Sequence, residues 1–432
     1  MKRSAPRDLR ADTGREALPR TTVPPTAVPD ATRPRPRFRG RAGGPLRRGR
    51  SAPRRARLAV LLLAGTTLAP LAPRAALAQV PALAPAPARY VAAIDQARDI
   101  IRALIAEHAI PGVSAAVAVD GRVVWSEGFG YADLENRVPV TPLTRFRIGS
   151  VSKSVTSAAI GKLYEQGRLD LDAPVQRYVP SFPEKRWPIT TRQLGGHLAG
   201  IRHYRGDEFL NATRYPTVTA GLEIFEDDSL LFQPGTDYSY SSYGWNLISA
   251  VIEGASGMDF LTYMRREIFA PLQLRSIVAG HTDSIIRYRA SFYERDRETG
   301  RVLNAPYVDN SNKWAGGGFL SNTEDLVRFG SALLDGTFLR AETVELLFTS
   351  QKTTSGEETG YGIGWFSGTD DAGRRWVGHT GGSVGGRAVL VLYPEEGVVV
   401  AALANLGSAP MSIELGQRLA AGFIQDVKAS RP

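Results

Sequence analysis

Residues 147–156 read Arg147-Ile148-Gly149-Ser150-Val151-Ser152-Lys153-Ser154-Val155-Thr156. At the start of a helix, Ser150 and Lys153 lie one turn apart on one face. A free serine hydroxyl is a weak nucleophile, and an adjacent amine that gives up its proton can activate it. A buried lysine can do this, whereas an arginine cannot. The residue choice is therefore telling, because the chain has seven lysines against forty-six arginines. No other Ser-x-x-Lys occurs in it.

Two segments further along add to this pair. The first is Pro234-Gly235-Thr236-Asp237-Tyr238-Ser239-Tyr240-Ser241-Ser242-Tyr243-Gly244. A phenol there can relay a proton to a leaving group if nearby cations lower its pKa. The competing reading is a set of packing aromatics in a turn. The second is Gly378-His379-Thr380-Gly381-Gly382-Ser383, which leads into a β-rich run. Glycines at a strand edge let a substrate approach the backbone, whose N–H groups can stabilise an oxyanion.

Taken in order, the three motifs resemble the serine β-lactamase and penicillin-binding protein superfamily. Within it the chain is most similar to the class C β-lactamase-related branch and its LACTB-like serine hydrolases. Further matches are Phe146-Arg147-Ile148-Gly149, Gly167-Arg168-Leu169-Asp170-Leu171-Asp172-Ala173-Pro174, His197-Leu198-Ala199-Gly200-Ile201, Ile201-Arg202-His203-Tyr204 and Ala315-Gly316-Gly317-Gly318-Phe319. The resemblance implies a role for each matching residue. Ser150 is the acylated nucleophile, Lys153 helps take its proton, and Tyr240 acts as general acid or base. The N–H groups of Ser150 and Gly382 form the oxyanion hole. Ser242, His379, Thr380 and Gly381 contact substrate.

Two positions depart from the family pattern. Ser242 stands where the tyrosine motif usually has Asn, and a hydroxyl lacks the amide's paired donor and acceptor. His379 replaces a lysine and is charged only below about 6.5 unless perturbed. Both departures favour peptidase, amidase or esterase work over β-lactam hydrolysis. The expected activity is that of an exported serine acyl hydrolase forming a covalent acyl-enzyme. Its substrate would be a small peptide, amide or ester, with cell-wall fragments one source. The alternative is a silent domain that binds peptidoglycan or β-lactams, or acts as a scaffold.

The fold expectation comes from the periodicity. Tyr90 to Glu107 has apolar residues at helical spacing. Val113 to Val119 and Arg122 to Trp125 read as strands joined by Asp120-Gly121, a hairpin signal. Ala388 to Tyr393 and Gly397 to Leu403 are β-rich, and Met411 to Ala429 is helical in pattern. Strands thus come from both ends of the body, around a mainly helical stretch from 150 to about 350. This predicts a two-lobed α/β (α+β) fold with a site in the cleft. The resemblance implies a β-lactamase/transpeptidase-like antiparallel sheet flanked by helices.

The net charge of +10 is unevenly placed. Residues 1–57 carry seventeen basic and four acidic side chains, and the body from Gln79 is mildly acidic. A nucleic-acid partner would need basic residues on the body, so none is expected. The basic leader precedes Leu58-Ala59-Val60-Leu61-Leu62-Leu63-Ala64-Gly65 and then Ala76-Leu77-Ala78, the layout of a secretory signal. Domain boundaries follow: leader 1–57, signal 58–78, Pro/Ala spacer 79–88 and hydrolase body 89–432. Export to the periplasm or medium is expected, with an uncleaved N-terminal anchor as the alternative. The apolar run is short for a membrane span. There is no cysteine, and the five histidines (His108, His197, His203, His281, His379) show no metal-ligand spacing. No cofactor or metal is expected.

Overall fold

The computed structural model describes residues 88–430. The expectations for 1–57, for 58–78 and for nearly all of 79–88 lie outside the described residues. The strands are β1 (Gly112–Val119), β2 (Arg122–Asp133), β3 (Val138–Pro139), β4 (Phe146–Arg147), β5 (Val278–Ala279), β6 (Tyr293–Arg295), β7 (Val302–Asn304), β8 (Phe319–Ser321), β9 (Phe366–Thr369), β10 (Arg375–Ser383), β11 (Gly386–Tyr393) and β12 (Val398–Ala404). The α-helices are α1 (Val91–His108), α2 (Val151–Glu165), α3 (Thr191–Gly195), α4 (Ser242–Ser256), α5 (Phe260–Tyr263), α6 (Thr323–Leu334), α7 (Ala341–Phe348) and α8 (Ile413–Ser430).

Seven strands form one antiparallel sheet in the order β3-β2-β1-β12-β11-β10-β9. β1 pairs with β12 from Val113 opposite Ala404 to Val119 opposite Val398, so the two ends of the body meet at its centre. Both strands are buried on both faces. Their alternation sorts side chains into two cores. Val113, Ala115 and Val117 of β1 join Val398, Val400 and Ala402 of β12 under α1 and α8. Ala116 and Ala118 join Val399, Ala401 and Leu403 in the other core, with α2 and α6. Small residues let α6 lie close there, and a carbon added at Gly330 would stand 2.7 Å from Val399.

The hairpin at Asp120-Gly121 has both residues at positive φ, +46° and +78°, as a tight two-residue turn requires. β2 runs eight residues beyond the expected Trp125. Glycine lets neighbouring backbone close in on β2: a carbon at Gly128 would be 2.4 Å from Val140 O, just after β3, and one at Gly130 2.3 Å from Pro111 O, just before β1. The stretch from 150 to 350 is helical with loops, as expected, but it also holds the hairpin β6-β7 and the strands β8 and β5, which form a small sheet with β4 from just before it. α2 buries every residue except Lys162, Tyr164 and Glu165, so it runs through the interior. No helix among the described residues is long and apolar enough to cross a membrane.

Candidate active site

Ser150 caps the N-terminus of α2, just after Gly149 at φ +49°. That turn rests on the backbone of β10. A carbon at Gly149 would lie 2.6 Å from Gly382 O and 2.7 Å from Gly382 N. A carbon at Gly381 would lie 1.9 Å from Ile148 O. Only glycine permits this approach, and it brings the backbone of Ser150 beside that of Gly382.

Lys153 is fully buried beneath Ser150. Its Nζ lies 2.9 Å from Ser150 Oγ, 3.1 Å from Ser242 Oγ and 2.8 Å from Gly316 O. Burial, with Lys313 adding repulsion, pushes its pKa well below the usual lysine value. Its surroundings therefore favour a free amine.

The Tyr240 ring centroid is 4.9 Å from Lys153 Nζ, and its hydroxyl shares a hydrogen bond with Ser150. Proton relay by this phenol was expected to depend on nearby cations lowering its pKa. Instead burial raises it, with Tyr204 and Tyr238 adding to the effect and the Ser150 bond opposing it. Tyr240 therefore keeps its proton. It is packed between His197, with ring centroids 4.2 Å apart, and the edge of His203, at 5.6 Å. His197 holds this segment from two sides: its Nδ1 accepts the Ser241 N–H at 3.1 Å and its carbonyl accepts the Ser239 N–H at 3.0 Å.

Ser150, Tyr240, Ser242 and Gly382 line one pocket of about 240 Å³, together with His203, Tyr204, Phe209, Lys313, Gly316, Gly317, Ser383 and Arg387. No carboxylate lines it. A larger, mostly apolar groove of about 770 Å³ lies around Leu261, Phe269 and Ile277, away from Ser150. Ser242 Oγ serves Lys153 and the Tyr204 hydroxyl. His379, Thr380 and Gly381 are not in the lining. His379 stands behind Tyr240, with Nε2 2.9 Å from the Tyr361 hydroxyl and Nδ1 2.5 Å from Thr380 O. Burial and Lys153 push its pKa down to about 3, so it is uncharged at neutral pH. It cannot supply the charge of the lysine it replaces.

Sequence reading gave no role to Lys313, Arg387 or Phe209. Lys313 is buried, donates to Phe209 O at 3.2 Å, and its pKa falls to about 8 through burial and Arg147. Its rarity as a lysine was the available signal. The loop carrying His203 and Phe209 is tied down by Arg202, which ion-pairs with Glu208 at 2.7 Å and with Asp228. Tyr243 also donates to Glu208, at 2.9 Å. Among the described residues no cluster of His, Asp and Glu could hold a metal ion.

The LACTB serine β-lactamase-like proteins, named as mitochondrial, are similar over most of their length. The Bos taurus protein is 34% identical over 74% of this chain and 77% of its own. The human and mouse proteins are 34% and 33% identical. Among solved structures, the octameric penicillin-binding protein homologue from Pyrococcus abyssi has a TM-score of 0.66 at 28% identity, covering 76% of this chain and 77% of its own. A D-stereospecific amidohydrolase from Streptomyces sp. has a TM-score of 0.64 at 25% identity, covering 76% and 98%. The mitochondrial relatives overturn the expected export to periplasm or medium. An arginine-rich, acid-poor leader is common to secretory signals and organelle-import segments, so its composition did not separate the two. The β-lactamase family model matches residues 97–422, three quarters of the sequence, and the chain belongs to that family of serine β-lactamase and penicillin-binding-protein-like hydrolases.

Proposed function

We propose that this protein is a serine acyl hydrolase that cleaves an amide, peptide or ester through an acyl-enzyme on Ser150. The observation that carries this reading is Lys153, fully buried, with its Nζ 2.9 Å from Ser150 Oγ and a pKa well below the ordinary value. A neutral amine has two N–H groups and one lone pair. The N–H groups go to Ser242 Oγ and Gly316 O, and the lone pair faces the Ser150 hydroxyl.

Proton bookkeeping then closes over one cycle. Ser150 Oγ attacks the acyl carbon while Lys153 takes its proton. The oxyanion sits between the N–H groups of Ser150 and Gly382. As the bond to the leaving group breaks, Tyr240 gives its proton to that group. This leaves a phenolate beside the Lys153 ammonium, a pair of opposite charges in a buried site. Water enters, gives a proton to Tyr240 and attacks the acyl carbon. Lys153 returns its proton to Ser150 as the acid departs. Similarity to the amidohydrolase from Streptomyces sp. supports amide bonds as a substrate class.

A fluorophosphonate probe tests the first step. It should label Ser150, and Ser150→Ala should abolish labelling. Ser150→Ala and Lys153→Ala should each cut ester turnover at least about 10³-fold, as loss of coupled catalytic groups does. Labelling that survives Ser150→Ala removes the reading.

A further inference from the structure

The apolar groove of about 770 Å³ falls within the range of about 300–1,000 Å³ that small-molecule sites occupy. Its lining and that of the Ser150 pocket share no residue. It is built by α5, the turn Met264–Phe269 after it, the chain from Ala270 into β5, and β8. Phe319 of β8 is buried at its base, and Phe269 meets that ring edge-on at 5.5 Å. Leu274 and Ile277 add further buried apolar side chains to the lining. Among the described residues, the protein's own side chains leave this apolar surface open, and covering it with an apolar ligand is favourable.

Charge identifies the kind of occupant. Arg265, Arg275 and Asp259 also line the groove. Asp259 Oδ1 accepts the Thr262 N–H at 2.8 Å and so caps α5. Neither guanidinium has a hydrogen bond or ion pair among the described residues. Arg266, the next residue after Arg265, by contrast pairs with Glu267 at 3.5 Å. Two arginines against one aspartate leave a surplus of one positive charge, which matches a monoanion. A planar guanidinium grips a carboxylate through two parallel N–H bonds. The basic leader of this chain would instead bring like charge to the groove.

We infer that the groove binds a long-chain carboxylate, its alkyl tail along Phe319, Leu274 and Ile277 and its head group at Arg265 and Arg275. This site goes beyond the acyl-hydrolase reading and does not depend on it. The apolar walls fix the tail without regard to its exact length. The arginines distinguish an acid from an uncharged chain of the same size.

Isothermal titration of the full chain with octanoate, decanoate and dodecanoate tests the inference. One equivalent should bind, and each added methylene should tighten binding about 2- to 4-fold, as burial of alkyl surface does. Decanol supplies the same tail without the charge. Arg265→Gln combined with Arg275→Gln, both at exposed positions, should weaken decanoate about 3- to 10-fold, the worth of two exposed ion pairs, and leave decanol within about 2-fold. The decanol arm also reports that the double variant is folded. Affinity that does not grow with chain length overturns the inference. Equal effects of the double variant on decanoate and decanol do the same. So does an absence of binding, the result expected if a second copy or the chain's own leader fills the groove. Capture of phosphatidylglycerol vesicles without binding of the free carboxylates also overturns it, and points to a membrane surface instead.

Discussion

Lys153 can act as a base only while it is neutral, so the rate should follow its titration. Its folded-state pKa is depressed, and the protonated form is inactive. Activity is therefore lost as pH falls through that depressed value and is already full where an ordinary lysine, near 10.5, would still be titrating. A second loss is expected only at very alkaline pH, where Tyr240 gives up the proton it holds too tightly to lose at pH 10. A kcat/KM profile that rises only around pH 10 would refute this account. At this scale the sequence pointed to Ser150, Lys153 and Tyr240, and the fold brings the three side chains together. Short spacings and residue rarity carry chemical meaning directly. It was a poor guide to Lys313 and Arg387. No local spacing relates them to Ser150, and only the folded chain brings them into its pocket. His379 was also misleading. It lies on the right strand, but its ring turns into the wall behind Tyr240 and its charge is suppressed by burial.

At the scale of elements, the turn before α2 and the edge of β10 act as one part. Gly381 carries no side chain because Ile148 O occupies that space, 1.9 Å from where a carbon would be. Gly381→Ala should push the Ser150 turn off β10 and separate the two proposed oxyanion donors. A displacement of about 1 Å is enough to lower activity by roughly 100-fold. The expected stability loss is about 1–3 kcal/mol, the usual cost of overpacking. Steady-state kinetics and a denaturant titration on the same sample separate the two effects, and wild-type kcat/KM in the variant would contradict this coupling. The helices α1 and α8 and the strands β1, β11 and β12 were legible within one or two residues, because their apolar periodicity is unbroken. β2 continues past the expected Trp125 through Gly128 and Gly130, and glycine inside a strand weakens its pattern. Here it marks close approach of a neighbouring backbone. The two- and three-residue strands in the helical stretch are too short for any period to register.

At the scale of the molecule, the two-lobed plan followed from β-rich runs at both ends of the body. What the runs could not reveal is the residue that fastens the ends to the insertion. Asn405 follows β12 and is fully buried. Its Nδ2 lies 3.1 Å from Tyr131 O, 3.4 Å from Ala132 O and 3.2 Å from Ser291 O. One amide thus joins β2, the end of β12 and the segment leading to β6. Asn405→Ala should destabilise the protein by about 2–3 kcal/mol, since buried carbonyls lose their donor. Urea unfolding monitored by tryptophan fluorescence measures this, and a change under 0.5 kcal/mol would contradict the role. The pairing of β1 with β12 also bears on how the protein is made. On the ribosome the β1–β2 hairpin emerges early, with its open edge facing nothing. The strand that will cover that edge, β12, follows every other strand of the sheet in chain order. Until then the nascent chain exposes an apolar, unsatisfied sheet edge of the kind that pairs with strangers. Synthesis of β12, rather than of any one lobe, is the event that closes the central sheet.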